Sequence, residues 1–494
     1  MYIISIDQGT TGTTVSILNH GGGLVGKASQ EYLQIFPKPG WVEHNPEDIW
    51  NSVLSTISKA IASSHVEPHK IVGIGITNQR ETVIVWDKKT GAPIYNAIVW
   101  QCRRTQDFCE QLKKKKLGKL IAKKTGLVID PYFSASKIRW ILKNVPGAKK
   151  RAISGELLAG TIDTYLLWRL TGGLSHRTDV SNASRTMLMN IHSATWDSDL
   201  LQLFEVPAQM LPSIEDSSGV FGKTRGLQVL PDGIPISGIA GDQQAALFGQ
   251  TCFAVGDAKC TFGTGSFLLL NTGYKAIASK HKLLTTVAWK LPKQKVTYAL
   301  EGGAFICGAA VQWLRDGLGI IKSSSEIESL ARQVDSSQGI EFVPALTGMG
   351  APYWWPEARG QITGITRGTT RAHLARATLD AMALQNAEIL NSMQKDLGKK
   401  LKALKVDGGA SANNLLMQLQ SDYMGMPVTR PQLVETTSIG AAYLAGLGVG
   451  FWNDLSEIEK IWKIDQEFKS QISSKGRLAR LMSWQTAIRK VAAK

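Results

Sequence analysis

Asp7-Gln8-Gly9-Thr10-Thr11-Gly12-Thr13-Thr14 lies between two β-branched apolar runs, Tyr2 to Ile6 and Thr13 to Asn19. This pattern reads as the turn of a β-hairpin, and Leu24 to Phe36 continues the meander as a third strand. A tight turn of glycine and threonine leaves backbone N–H groups and hydroxyls free to wrap phosphate oxygens. A carboxylate at the strand end can hold Mg²⁺ directly or through water, which makes Asp7 the candidate metal contact. A helix should follow, with Asn45 as N-cap, Pro46 at its first position, Glu47 and Asp48 at the positive dipole end, and Ile49, Val53, Ile57 and Ile61 at helical spacing. Ile71 to Thr77, Thr82 to Trp86 and Ala97 to Trp100 read as further strands.

After residue 250 a similar order returns: Ala258 to Phe262, a Gly263-Thr264-Gly265-Ser266 turn, Phe267 to Asn271, Leu284 to Lys290 and Thr297 to Leu300. This second turn has the chemistry of the first without its carboxylate. A third segment, Val406 to Asn414 (VDGGASANN), joins a strand to a helix, and its small residues would let an adenine ring lie against backbone. Two α/β units, each opening on a glycine- and hydroxyl-rich hairpin, imply an internal duplication with a cleft between the halves. The boundary is placed at Gly249, dividing the chain into residues 1–249 and 250–494. With no low-complexity linker, the halves should be tethered by packed segments that hinge. The order of the three segments resembles the actin-like (ribonuclease H-like) ATPase fold: two α/β domains with an ATP and substrate cleft between them.

Composition bounds the alternatives. A chain of 494 residues exceeds the size of one hydrophobic core, and an apolar share of 43% excludes wholesale disorder. The formal charge of +16 invites a nucleic-acid reading. Yet Leu112 to Lys124 carries seven lysines and no acid, and Lys460 to Lys494 carries nine basic residues against two acids, so these two segments hold fourteen of the sixteen excess charges. The first is read as a lysine helix facing water, and no nucleic-acid partner is expected. Five cysteines with no CxxC pair suit reduced thiols in the cytoplasm. The N-terminus has no basic n-region and reads as no signal peptide. Thr436 to Asn453 reads as a small-residue buried helix, and no membrane insertion is expected.

Two rival motifs fail on physical grounds. Gly21 to Ala28 (GGGLVGKA) has P-loop spacing but ends in alanine, lacks a helix to open, and reads as a hairpin turn. In His65-Val66-Glu67-Pro68-His69 the proline breaks the helical spacing a zinc site would need.

Ile239-Ala240-Gly241-Asp242-Gln243-Gln244 puts an acid beside the expected cleft. There it could accept the proton of an attacking hydroxyl, or it could simply cap the helix that follows. Arg80 and Glu81, being adjacent, would point to opposite sides of a regular strand, so for both to reach a small polyol the backbone must turn; a surface hairpin is the other reading. Trp100 and Tyr132 could wall a carbon chain or pack in the core.

Seven blocks carry a closer resemblance: DQGTT at 7–11, TNQRET at 77–82, NAIVWQCRRT at 96–105, GLVIDPYFS at 126–134, SNASRTML at 181–188, SGIAGDQQAALFGQ at 237–250 and YWWPEARG at 353–360. They are similar to those of the glycerol kinases within the FGGY carbohydrate kinases. The resemblance implies that Arg80, Glu81, Tyr132, Asp242 and Gln243 bind glycerol hydroxyls, with Trp100 and Phe267 against its carbons and Asp242 as catalytic base. It implies that Thr10, Thr11 and Gly12 meet the transferring phosphate, Asp7 sits near Mg²⁺ and Thr264 holds the inner phosphates of ATP. Gly308, Gln312, Gly409 and Asn413 would line the nucleotide site. A homo-oligomer, dimer or tetramer, is also expected. Three departures stand out. Gly12-Thr13-Thr14 replaces a common Ser-Ser-Arg, which removes a phosphate-side arginine and predicts weaker nucleotide or product binding. Arg225 to Ile236 lacks the glycine- and arginine-rich loop used by some members to bind fructose 1,6-bisphosphate, and Trp355 replaces a common acid.

Overall fold

The computed structural model describes residues 1–492. Lys494, the end of the basic tail, lies outside the described residues. Two large sheets organise the chain. The first has the spatial order Ser218–Lys223, Pro235–Gly241, Ile71–Asn78, Tyr2–Gln8, Gly12–Leu18 and Leu24–Glu31. The second runs Leu284–Trp289, Thr297–Ala304, Ser266–Gly273, Ala258–Phe262, Leu404–Asp407, Val428–Pro431 and Ile464–Phe468. In each, the opening hairpin is extended by a third antiparallel strand, which in the second sheet is Thr297–Ala304 with Leu284–Trp289 outside it, and two later strands add in parallel on the other side of the first. The internal duplication expected from the sequence is therefore present as a repeated topology, and both halves are actin-like.

The third strand stops at Glu31, short of the expected Phe36. Gly12, the first residue of its partner strand, pairs with Glu31, so nothing remains for residues 32–36 to pair with in this sheet. The helix Pro46–Ser64 starts where expected, with the Asn45 side chain accepting from the Glu47 amide at 3.1 Å. The supposed lysine helix is two short helices, Gln106–Lys114 and Gly118–Thr125. They are split where Lys116 takes a left-handed backbone, φ +58°. Leu112 and Ile121 are buried beneath them, while Lys113 to Lys116 face solvent. Gly21 to Gly23 form a hairpin turn, closed by Gly22 N donating to Asn19 O.

The halves exchange helices. Asp242–Gly249, which follows the last parallel strand of the first sheet, packs on the second sheet, where Gln244 Nε2 donates to Val287 O at 3.1 Å. Thr436–Gly448 follows Val428–Pro431 of the second sheet and lies on the first. Gly75 and Gly238 admit it: a Cβ at either would stand 2.2 Å from Ala441 O or 2.3 Å from Ala445 N. Where the two helices cross, their backbones touch, since a Cβ on Gly249 would lie 2.0 Å from Thr436 O and one on Gly440 1.8 Å from Ala245 O. Small residues are what this crossing demands. Among the described residues no helix is long and apolar enough to cross a membrane.

Candidate active site

The first hairpin turn closes by Gly9 N donating to Gly12 O at 2.9 Å. Its carbonyls are gripped from one side: the Tyr32 hydroxyl sits 2.5 Å from Gly9 O and 2.9 Å from Thr10 O, and Gln34 Nε2 donates to Thr10 O at 2.9 Å. Gln79 Nε2 adds a bond to Gly9 O at 3.1 Å. With its carbonyls occupied, the turn offers its N–H groups and hydroxyls to a ligand. Thr11 is exposed, and Thr10 Oγ1 accepts from Trp100 Nε1 at 2.9 Å. Gly12 has to lack a side chain, because a Cβ there would be 2.7 Å from Gln30 O.

Asp7 is the penultimate residue of the first strand, opposite Thr14 and Thr77. Burial, and then the nearby Asp242 carboxylate, raise its carboxyl to about 7. Two neighbouring carboxylates that repel each other favour a cation between them. Among the described residues no cluster of three or more metal-ligating side chains exists. The oxygen donors here fit Mg²⁺, which is usually held by one or two carboxylates together with substrate phosphate oxygens.

Arg80 and Glu81 follow the strand Ile71–Asn78, and the backbone does turn: Glu81 has φ +63° and Thr82 N donates to Arg80 O at 2.8 Å. Neither is on a surface hairpin, since both are buried. The Arg80 guanidinium is fully used. Nη1 and Nη2 donate to Glu301 Oε2 and Oε1 at 2.7 and 3.0 Å, Nη2 also reaches the Tyr132 hydroxyl at 3.4 Å, and Nε faces Asp242 Oδ1 at 3.0 Å. Arg185 closes the network, with Nε on Glu81 Oε1 at 2.7 Å and Nη2 on Glu301 Oε1 at 2.9 Å. Burial alone would raise the Glu301 carboxyl, but Arg185 and Arg80 outweigh it and hold it down at about 2. For Glu81 burial wins over the two arginines and its carboxyl is raised. The difference follows from the bonds, three charge-assisted contacts on Glu301 against one close contact on Glu81. Tyr132 stacks edge-on with Trp100, ring centroids 5.5 Å apart, and burial pushes its hydroxyl well above the usual tyrosine value.

Asp242 is the first residue of its helix, and Gly241 occupies the cap position. Its Oδ1 accepts from the following amide, Gln243 N, at 2.7 Å. Oδ2 is 3.3 Å from Gln243 Nε2. With 31% of its side chain exposed beside an Arg80 side chain at 2%, it is the acid of this network that reaches solvent.

On the other half, Gly263 N donates to Gly265 O at 2.9 Å to close the second turn, leaving Thr264 exposed. Cys307 N and Ala309 N donate to Thr264 O, stitching the helix Gly308–Asp316 onto this turn. A Cβ on Gly308 would meet Gly263 O at 2.7 Å. Gln312 stands one turn further on, exposed. Phe267 is half-buried, opposite Gly303, where any Cβ would strike its ring at 2.9 Å. Gly409 faces open space, and Asn413 caps the helix Asn414–Met424 through Leu416 N at 2.8 Å.

Sequence reasoning did not single out Arg185, Glu301 and Lys259. Lys259 Nζ donates to Gln243 Oε1 at 2.5 Å and Thr261 Oγ1 at 2.7 Å. The signal for it and for Glu301 was a charge inside an otherwise apolar strand, in AKCTF and YALEGG.

The sequence matches the N-terminal domain of the FGGY family of carbohydrate kinases over residues 2–249 and its C-terminal domain over residues 258–449. It is 64% identical to the glycerol kinase of Bdellovibrio bacteriovorus over 490 residues, 99% of each chain. It is 53% identical to that of Desulforamulus reducens, covering 99% of this chain and 97% of the other. The crystal structure of Plasmodium falciparum glycerol kinase with ADP superimposes with a TM-score of 0.93 at 38% identity, over 100% of this chain and 98% of that one. A xylulose kinase from Lactobacillus acidophilus shares the fold at 23% identity, TM-score 0.88, over 100% of this chain and 99% of that one. On its hairpins, its duplicated sheets and these likenesses, the chain belongs to the glycerol kinases of the FGGY family of carbohydrate kinases.

Proposed function

We propose that Asp242 is the base in transfer of the γ-phosphoryl group of ATP to a terminal hydroxyl of glycerol, giving sn-glycerol 3-phosphate. The observation that carries this reading is the asymmetry of the Asp242 carboxylate. Oδ1 is held by Arg80 and the Gln243 amide, while Oδ2 has only the Gln243 side chain beside it. A carboxylate anchored on one oxygen and open on the other is oriented to take a proton. The hydroxyl proton passes to Oδ2, the substrate oxygen bonds the γ-phosphorus in line, and the bond to the bridging β–γ oxygen breaks to release ADP.

Glu81, Tyr132 and Gln243 hold the hydroxyls, Arg80 joins them by exchanging its long 3.4 Å contact with the Tyr132 hydroxyl for a substrate oxygen, and Trp100 and Phe267 flank the carbons. Thr10, Thr11 and Gly12 meet the transferring phosphoryl group, while Thr264 takes the inner phosphates. Gly308, Gln312, Gly409 and Asn413 line the nucleotide site. Asp7 would hold Mg²⁺, which when bound neutralises charge on the phosphates. Residues 1–249 supply the substrate side and 250–494 the nucleotide side, and closure of the halves excludes water. Five buried free thiols support a reducing, cytoplasmic setting.

Glycerol-dependent ADP release tests the reading, with erythritol and xylulose run in parallel. A preference for xylulose would overturn the substrate assignment, and absence of any glycerol-dependent signal would overturn the kinase assignment itself.

A further inference from the structure

Lys259 and Glu301 lie on strands of the second sheet, and both are paired in register with Leu269 on the strand between them. Directly opposed residues point to one face, so Lys259, Leu269 and Glu301 form a row. That row meets the start of the helix Asp242–Gly249, because both its charged ends bond to groups that flank Asp242. Lys259 Nζ takes Gln243 Oε1 at 2.5 Å, and Glu301 takes both terminal nitrogens of Arg80 at 2.7 and 3.0 Å. Lys259 and Glu301 are buried.

The chemistry of each contact dictates an orientation. An ammonium can only donate, so Gln243 must present Oε1 to Lys259 and turn its NH₂ outward, where Nε2 stands 3.3 Å from Asp242 Oδ2. A carboxylate can only accept, so Glu301 consumes the fork of Arg80 and leaves Nε for Asp242 Oδ1 at 3.0 Å. Without Lys259 the Gln243 amide could flip and offer an acceptor to the substrate hydroxyl. Without Glu301 the Arg80 fork could swing onto Asp242 and compete for the proton-accepting oxygen.

We infer that Lys259 and Glu301 are positioning residues for glycerol: one opposite charge on each side, supplied by the nucleotide-side half, fixes the donor groups that frame Asp242. The substrate site is thus correctly polarised only when the second sheet is seated against it. The inference rests on the proposed roles of Gln243 and Asp242.

The test measures KM for glycerol, KM for ATP, kcat and thermal stability in Lys259→Met, Lys259→Gln, Lys259→Arg, Gln243→Ala and the double variant Lys259→Met/Gln243→Ala. Lys259→Gln keeps a polar group in the pocket but no longer dictates the orientation of Gln243, so it decides the question should the methionine variant not fold. The expected result is a rise in glycerol KM of about tenfold or more, the size of one misoriented buried hydrogen bond, with ATP KM within about twofold. Lys259→Arg should restore much of the loss, and the double variant should be no worse than Gln243→Ala alone. Equal changes in both KM values, or losses that multiply in the double variant, would overturn the inference. If Gln243→Ala alone leaves glycerol KM unchanged, it is the assignment of Gln243 to the substrate that fails. On the other side, Glu301→Gln should lower kcat with a shifted pH profile, and Glu301→Asp should recover part of it; an unchanged profile would remove Glu301 from the inference.

Discussion

Arg80 and Glu301 face each other across the junction of the two halves, Nη1 2.7 Å from Oε2 and Nη2 3.0 Å from Oε1, each side chain 2% exposed. Breaking such a pair strands a buried charge. Glu301→Ala should therefore destabilise the protein by about 3–5 kcal/mol, read by urea unfolding. The Glu301 carboxyl is depressed to about 2 from an ordinary 4.5. Its contribution is complete above the ordinary value and is lost as pH falls from there through about 2. The wild type should lose stability over that acid range more steeply than Glu301→Gln.

Asp242→Asn keeps the shape of the side chain and removes the proton acceptor. Turnover should fall by about 10²–10⁴-fold, the usual share of a general base, while the melting temperature stays close to that of the wild type because the side chain is partly exposed. Near-normal turnover in a folded variant would end its assignment as base.

Asp7 gives a pH dependence of opposite sign. Its carboxyl is raised from 3.8 to about 7 by burial and by Asp242, so the contribution to stability is full below the ordinary value and lost as pH rises through about 7. Asp7→Asn should melt higher than the wild type at pH 8 and about the same at pH 4, while losing Mg²⁺-dependent turnover. Calorimetry at the two pH values checks the first, and a magnesium titration of activity checks the second.

Two glycines should answer very differently to alanine. At Gly440 the new methyl would stand 1.8 Å from Ala245 O, a backbone atom, so Gly440→Ala should cost about 3 kcal/mol or more. At Gly409 nothing lies within 4 Å, and Gly409→Ala should leave stability within about 0.5 kcal/mol while weakening ATP binding if that surface meets the nucleotide. Chemical denaturation and ATP titration separate the two effects.

The fold was legible because its signals are local. Hairpin turns, a capped helix start and a small-residue run are read within a dozen residues, and their repetition announced the duplication. Boundaries failed where the limit lay in a partner: Leu24 onward could not end at Glu31 until Gly12 was known to be the last residue available to pair. Asp242 was visible, yet from its own residues cap and base stayed balanced, because a one-residue shift in the helix start separates them; the placement of Gly241 at the cap removes the cap reading. Glu301 was invisible for a different reason. Its partners Arg80 and Arg185 are 221 and 116 residues away, and a lone acid within YALEGG carries no hint of either. The excess positive charge, prominent in composition, falls largely on solvent-facing lysines.

The crossed helices make each half the lid of the other's hydrophobic floor. Cutting the chain between Gly249 and Gln250 should therefore yield two pieces that are each insoluble alone, with Gly75 and Gly238 laid bare on one and Leu269, Ala288 and Ala299 on the other. Co-expressed, the pieces should reassemble and recover glycerol-dependent turnover. The sequence can be divided into two segments; the act of folding cannot.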